Sequence, residues 1–437
     1  MSDIKSIAIL GANGTVGLQV ALLLVSRLDV KVFLVCRTME KAQESKLRIQ
    51  ASLLEDRISG TMIPVDFSSL QECIPCCDWI FESVAEDLSI KREMYRQVIP
   101  FLRSDTLVST GTSSFLIRQL TESFGEDFKR SFYGTHFFNP PDKLALLEFI
   151  QTDWNELVTS LEFESFLRQQ LGRRTIKVKD MHGFLANRIG ALFLNEVAML
   201  AEQYVNQGGI GYIDALMGRF TGRAIPPLVT IDYIGLDVFT AMLGNVRKDS
   251  QPNLNCNQNP EFLDELIGKG YFGRKSSRGL YTQNIHPDGS KQKWVFVLKL
   301  EDYQPLPAYV FPFAARMTEL QTQGDLVSSF QALVDCTDKE AMLCKYMLLR
   351  YIAISHQAAS EAAFQMEDVD TAMEDGYAWM SPRKLVFLLG GVDGIQRSLL
   401  SNETMKHALA GVDAEKLETF QIPAIDSDLR FFSYGRK

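Results

Sequence analysis

Residues 4–10, IKSIAIL, run into glycines at 11, 14 and 17, and the chain leaves them at once as LQVALLL (18–24). A strand that ends in glycines and restarts as a helix gathers backbone amides at the helix N-terminus, where an anion can approach closely. The spacing is G-x-x-G-x-x-G, one residue longer than the usual G-x-G-x-x-G because Asn13 stands between Ala12 and Gly14. Gly14 still opens the helix and Gly17 still packs it on the sheet. At the first βα junction this predicts a cradle for the pyrophosphate of a dinucleotide, contacted by Gly11, Asn13, Gly14 and Gly17. A tight βα turn without a ligand is the competing reading.

The rest of the first 180 residues supports a cradle of that kind. Strand runs are expected at 4–10, 31–36, 62–65, 79–83, 106–110, 131–137, 146–150 and 174–179, with helical patterns between most of them. That alternation reads as a Rossmann-like, doubly wound α/β sheet. After Gly183 the strand signal fades into one long helix, GFLANRIGALFLNEVAMLAEQYV, and helical patterns dominate to the end. This helical part repeats. IDALM (213–217) returns as VDTAM (369–373), Pro226 as Pro382, and GLD (235–237) as GVD (391–393), all 156 residues apart. One register held without a gap marks a duplicated unit. The expected domains are therefore 1–180, dinucleotide-binding; 181–283, a helical substrate and dimerisation domain; 284–335, a linker carrying Pro287, Pro305, Pro307 and Pro312; and 336–437, a second helical copy.

A net charge of −9 and a pI near 5.3 argue against nucleic acid or an anionic membrane as partner. No apolar run approaches the ~20 residues of a membrane span. The first strand begins almost at the N-terminus, so no signal peptide is expected and the chain reads as cytoplasmic. Cys73, Cys76 and Cys77 cluster without a second ligand pair, so reduced thiols are expected and no metal.

The second strand should end in an acid that bonds the adenosine ribose. It ends instead in Cys36, followed by Arg37 and Thr38. A missing acid beside an arginine leans toward NADP, with NAD also accommodated; an arginine on a solvated loop is the bland alternative. STGTSSF (109–115) ends the fifth strand on the ligand-binding edge. Beyond it, His136 and Glu148 lie twelve residues apart around the Pro140-Pro141 turn. Two adjacent strands would pair them, and a carboxylate on one imidazole nitrogen raises the basicity of the other. A histidine before Phe-Phe is otherwise more often a core residue.

The motifs DWIFESVAEDLSIKREMY (78–95), STGTSS (109–114), HFFNPPDKLALLE (136–148), DMHGFLANR (180–188), IDYIGLD (231–237) and GYFGRKSSRGLY (270–281) follow in order. With them the chain resembles the 3-hydroxyacyl-CoA dehydrogenase family over nearly all its length. Its trailing repeat resembles that of bacterial members with a second helical domain. The resemblance implies an oxidoreductase that interconverts a 3-hydroxyacyl-CoA and a 3-oxoacyl-CoA with NAD or NADP. It implies His136 as general base, oriented by Glu148, with Ser113 bonding the reacting oxygen or the nicotinamide end. Asn187 would hold the substrate carbonyl and Asn139 would brace the site. Glu86, Lys91 and Lys275 fall on cofactor-contacting positions, beside Arg37 and Thr38. The family has Asn where Gly111 stands, Pro where His182 stands and an acid where Cys36 stands. The repeat equivalents of Asn187 and Arg188 are Leu343 and Cys344, so one active site is expected. The assembly is then a monomer with an internal pseudo-dimer, or a homodimer. A non-CoA hydroxy acid as substrate, or a silent dinucleotide-binding protein, are the alternatives.

Overall fold

The computed structural model describes residues 4–53, 58–249, 259–285 and 289–400, together with Met405, Ala408, Leu417, Glu418, Phe420 and Ile422. Pro287 and most of the second copy beyond 400 lie outside the described residues. The chain divides into two compact units between Phe184 and Leu185.

The first unit is built on one eight-stranded sheet. Its strands are β1 (Ser6–Leu10), β2 (Lys31–Cys36), β3 (Thr61–Asp66), β4 (Trp79–Glu82), β5 (Leu107–Thr110), β6 (Phe132–Phe137), β7 (Leu146–Ile150) and β8 (Arg174–Val178), in the order β3-β2-β1-β4-β5-β6-β7-β8. The first six neighbours run parallel; β7 turns antiparallel to β6, and β8 follows β7. Every residue of β1, β4, β5, β6 and β7 is buried. That is why β1 and β4 read as near-continuous apolar runs, and why the polar residues of β5, β6 and β7 are buried with them. Trp79 anchors the layer beneath the sheet. Its ring meets Phe163 at 5.4 Å and Phe166 at 6.0 Å, and its Nε1 donates to Ser109 Oγ at 2.9 Å. The order reverses at β1, between β2 and β4, and the glycine loop leaves β1 at that switch point.

The second unit is mostly helical, and its helices come in two sets. Ala186–Gln203, Gly209–Leu216, Pro227–Ile234 and Leu236–Val246 are followed by Lys339–Ala362, Asp368–Thr371, Pro382–Leu388 and Gly391–Leu400. Asp214 shows what the repeated motif does: its carboxylate caps Pro227–Ile234, accepting from Leu228 N (2.7 Å) and Val229 N (3.0 Å). Asp370, its equivalent, accepts from the Ser381 hydroxyl at the start of Pro382–Leu388. Burial pushes the two carboxyls up, to about 7 and about 6. Among the described residues no single helix is long and apolar enough to cross a membrane.

The two sets meet along a short antiparallel bridge. Arg223 pairs with Trp379, Ala224 N donates to Ala378 O (3.1 Å) and Met380 N donates to Gly222 O (2.6 Å). Positions 222, 223 and 224 are the repeat equivalents of 378, 379 and 380. An antiparallel pairing of equivalent positions is what a local two-fold axis produces. Arg223 lies fully buried on it, its guanidinium 4.7–4.9 Å from the ring centres of Phe193, Tyr351 and Trp379. Burial brings that guanidinium down to about 10.

The stretch expected to be a linker, 284–335, carries regular structure over its described residues. β9 (Tyr281–Ile285), β10 (Lys291–Val297) and β11 (Asp302–Pro305) form an antiparallel sheet, and helices Pro312–Thr322 and Leu326–Asp335 follow. The boundary at 284 cuts through β9. Its prolines misled because proline is at home on an edge strand, as Pro305, and at the first position of a helix, as Pro312.

Arg223→Ala is expected to destabilise the helical unit by about 3 kcal/mol, through a cavity and three lost cation–ring contacts. Urea unfolding followed by tryptophan fluorescence measures it, since Trp379 reports on the cage.

Candidate active site

The glycine loop has the backbone that close approach requires. Gly11 has φ +85°, and a Cβ there would lie 2.5 Å from Ser83 O at the exit of β4. A Cβ on Gly17 would lie 2.5 Å from Gly11 O, so the helix Thr15–Arg27 packs on the loop only with glycine at that position. Gly14 is the N-cap of that helix, and no side chain caps its first turn. Its leading amides are thus open to an anion, and the cradle fits a pyrophosphate.

The loop closes onto β2. Asn13 is exposed, while the amides of Gly11 and Ala12 donate to Val35 O (2.9 and 3.3 Å) and the Cys36 thiol lies 3.9 Å from Ser45 Oγ. Cys36 is buried, and burial pushes its thiol up. Arg37 and Thr38 are exposed, and Thr38 caps the next helix, Met39–Ser52, by accepting from Lys41 N. The lean toward NADP meets an obstacle here. Asp66, at the end of β3, is the register partner of Cys36, and Glu40, in the first turn of the helix, is close enough to feel its charge. Two carboxylates about the end of β2 repel a 2′-phosphate, and Arg37 does not stand alone there.

Beside the loop, at the ends of β4 and β5, lies a buried ionic cluster. Glu82 is fully buried and accepts from Lys91 Nζ (2.8 Å), Tyr95 OH (2.7 Å), Thr110 Oγ1 (2.6 Å) and Val84 N (2.7 Å). Lys91 also reaches Glu86 at 3.0 Å. Burial pulls the Lys91 ammonium down, but the two carboxylates outweigh it and hold it above its ordinary range. Glu86 accepts in turn from the Thr112 hydroxyl and from Ser113 N (3.1 Å) and Ser114 N (3.0 Å). Although burial opposes it, these partners and Lys91 hold the Glu86 carboxyl below its usual range. Glu86 and Lys91 are positions that the resemblance implies, whereas Glu82, Thr110, Thr112 and Tyr95 are brought to them by the fold. The signal available for Glu82 was a carboxylate ending a strand with no other polar residue, WIFE.

His136 and Glu148 are directly opposed in the β6–β7 register. His136 Nδ1 lies 2.7 Å from Glu148 Oε2, with the imidazole nearly buried and the carboxylate fully so. Phe138 and Phe184 flank the ring at 4.7 and 5.6 Å. Ser113 is half-buried in the loop after β5, its amide tied to Glu86. Asp180 fixes the far end of that loop, accepting from Ile117 N (2.7 Å) and Arg118 N (2.9 Å). Gly111 leaves room for the Phe81 ring, whose Cζ would be 2.7 Å from a Cβ. Asn139 is exposed just beyond β6.

Two expected residues lie in the helical unit. Asn187, in the first turn of Ala186–Gln203, accepts from Tyr377 OH at 3.0 Å. Neighbouring Arg188 is fully buried between Asp249 (2.7 Å) and Glu361 (2.7 Å). Lys275 is paired with Asp237.

A phosphate cradle at the switch point and a buried histidine–carboxylate pair on the same sheet are parts of an NAD-binding oxidoreductase domain. Residues 6–181 match the profile of the 3-hydroxyacyl-CoA dehydrogenase NAD binding domain, and residues 183–283 that of the 3-hydroxyacyl-CoA dehydrogenase C-terminal domain. The chain belongs to the 3-hydroxyacyl-CoA dehydrogenase family. It is 26% identical over 355 residues to a probable 3-hydroxyacyl-CoA dehydrogenase of Bacillus subtilis, covering 80% of this chain and 43% of that one. The chain spans about half the length of the curated relatives it matches. Its fold is similar to that of 3-hydroxybutyryl-CoA dehydrogenase from Escherichia coli K12, with TM-score 0.69 and 20% identity over 94% of this chain and 96% of that one. It is also similar to (S)-3-hydroxybutyryl-CoA dehydrogenase from Ralstonia eutropha, with TM-score 0.55 and 26% identity over 63% of this chain and 98% of that one.

Glu82→Gln leaves the Lys91 ammonium buried with one carboxylate fewer. A loss of about 3–5 kcal/mol in stability is expected, measured as a fall in the urea midpoint.

Proposed function

We propose that this protein interconverts 3-hydroxyacyl-CoA and 3-oxoacyl-CoA thioesters using NAD, with His136 as the general base. The observation that carries this reading is the buried His136–Glu148 pair. Glu148 holds the proton on Nδ1, which leaves Nε2 with its lone pair to take the proton of the substrate 3-hydroxyl. When bound, NAD supplies the two-electron acceptor for the hydrogen leaving C3. The imidazolium formed on His136 is stabilised by the adjacent carboxylate, while Phe138 and Phe184 keep water from it. Ser113 donates to the reacting oxygen, and Asn187 donates to the thioester carbonyl. Asn139 braces the turn that follows the base. Glu86 and Lys91 would hold the cofactor, the Lys91 ammonium being outweighed by the two carboxylates it bridges. Lys275 serves the cofactor only if it exchanges its Asp237 partner. The acyl-CoA class comes from the names of the relatives, and the chemistry fits it: a secondary alcohol needs one base and one oxidant.

NAD is the cofactor this reading assigns, ahead of NADP. The matched domain is an NAD-binding one, and Asp66, level with Cys36, and Glu40 put two carboxylates about the end of β2 that disfavour a 2′-phosphate.

His136→Ala is expected to lower kcat by about 10²–10⁴ with acetoacetyl-CoA and NADH, leaving NADH affinity unchanged. Glu148→Gln should cost less, because the ring keeps its place in the β6–β7 register. Wild-type turnover by His136→Ala would sink the assignment.

Fluorescence titration is expected to give tighter binding of NADH than of NADPH, with Arg37→Ala changing the ratio little. NADPH bound as tightly as NADH would restore Arg37 as a phosphate ligand.

A further inference from the structure

We propose that Tyr377, supplied by the second helical copy, is a positioning residue that sets the orientation of the Asn187 side-chain amide. The inference rests on the reading above, in which Asn187 donates to the acyl thioester carbonyl.

An asparagine amide turns about its last torsion with two broad, nearly equivalent orientations, one presenting oxygen and the other presenting NH₂. Only the NH₂ face helps a substrate carbonyl. Tyr377 OH donates to Asn187 Oδ1 at 3.0 Å, which occupies the oxygen and turns the two N–H donors away from the tyrosine.

The surroundings are built around this contact. Gly190, one turn further along the same helix, has no room for a side chain, because a Cβ would overlap the Tyr377 hydroxyl and ring. Tyr377 stacks obliquely on Trp379 at 5.0 Å, and the segment just after it is bridged to 222–224 across the local two-fold axis. Ala378, between the two aromatics, has φ +53°, a backbone state unfavourable for alanine that turns the chain there.

The contact is one-sided, although the packing around it is two-fold. The repeat equivalents of Tyr377 and Asn187 are Thr221 and Leu343. Thr221 spends its hydroxyl on Gly218 O at 2.8 Å, and Leu343 is buried and apolar. Symmetric packing alone would have produced both contacts or neither. The second copy thus contributes a polar group to the first, and residues 183–283 on their own lack it.

The test is steady-state reduction of acetoacetyl-CoA with NADH by the full chain, its Tyr377→Phe and Asn187→Ala variants, and the double variant. Tyr377→Phe should lower kcat/KM about five- to tenfold, the factor of one ordinary hydrogen bond. Its melting midpoint and pH profile should stay unchanged, because His136 is untouched. In the Asn187→Ala background the same change should cost nothing further. Wild-type kcat and KM in Tyr377→Phe, an equal loss in both backgrounds, or a loss that only accompanies unfolding would each overturn the proposal. An active wild type with an unaffected Tyr377→Phe removes this proposal alone. A wild type that does not turn over acetoacetyl-CoA removes the functional reading and this inference with it.

Discussion

The antiparallel register of β6 and β7 is the constraint on which the candidate site depends. Side chains alternate across a sheet with a period of two, so a slip of one residue would send Glu148 to the opposite face from His136. The turn through Pro140 and Pro141 sets that register, and complete burial of both strands defends it. A carboxylate held 2.7 Å from an imidazole in such a place cannot be replaced by water, so its partner is fixed by the fold. The reversal of β7 also lets β8 lead back along the sheet edge to Asp180, which ties down the loop carrying Ser113.

Charge at the cofactor end of the sheet follows the same economy. Glu82 accepts four hydrogen bonds, which spreads one buried carboxylate over an ammonium, a phenol, a hydroxyl and an amide. Lys91 then shares itself with Glu86, whose remaining acceptors organise the Thr112–Ser114 backbone. The geometry of the loop after β5 is thus linked to the end of β4 through one lysine. At the end of β2 the arrangement is looser: a buried thiol faces the glycine loop, and the nearby carboxylates come from other elements.

The duplicated helical part shows how a symmetric architecture carries an asymmetric task. The caged Arg223 and the bridge at 222–224 and 378–380 lie on the local axis, where the two copies share one set of contacts. Away from the axis the copies diverge. Asn187 has become Leu343, Arg188 has become Cys344, and Thr221 has become Tyr377. One copy keeps the polar helix start and the other supplies what presses against it.

Much of this was determined by the sequence itself, because it is local. A glycine loop needs only three residues at set spacing, and the eight strands of the first sheet stand out as short strand-forming runs set mostly between helical patterns. The pairing of His136 with Glu148 was legible because a short connection through Pro140 and Pro141 joins their strands. The repeat was legible because its offset never drifts. Other features depend on residues distant in the chain. The Glu82 cluster draws on two strands and a helix, and nothing in WIFE says that Tyr95 and Thr110 will converge on it. Whether Arg37 meets a phosphate or shares its ground with acids depended on β3 pairing beside β2, which brings Asp66 level with Cys36. The small sheet of β9, β10 and β11 depended on antiparallel partners that the nearby prolines obscured. The contact of Tyr377 with Asn187 spans 190 residues, and only the docking of one helical copy on the other creates it.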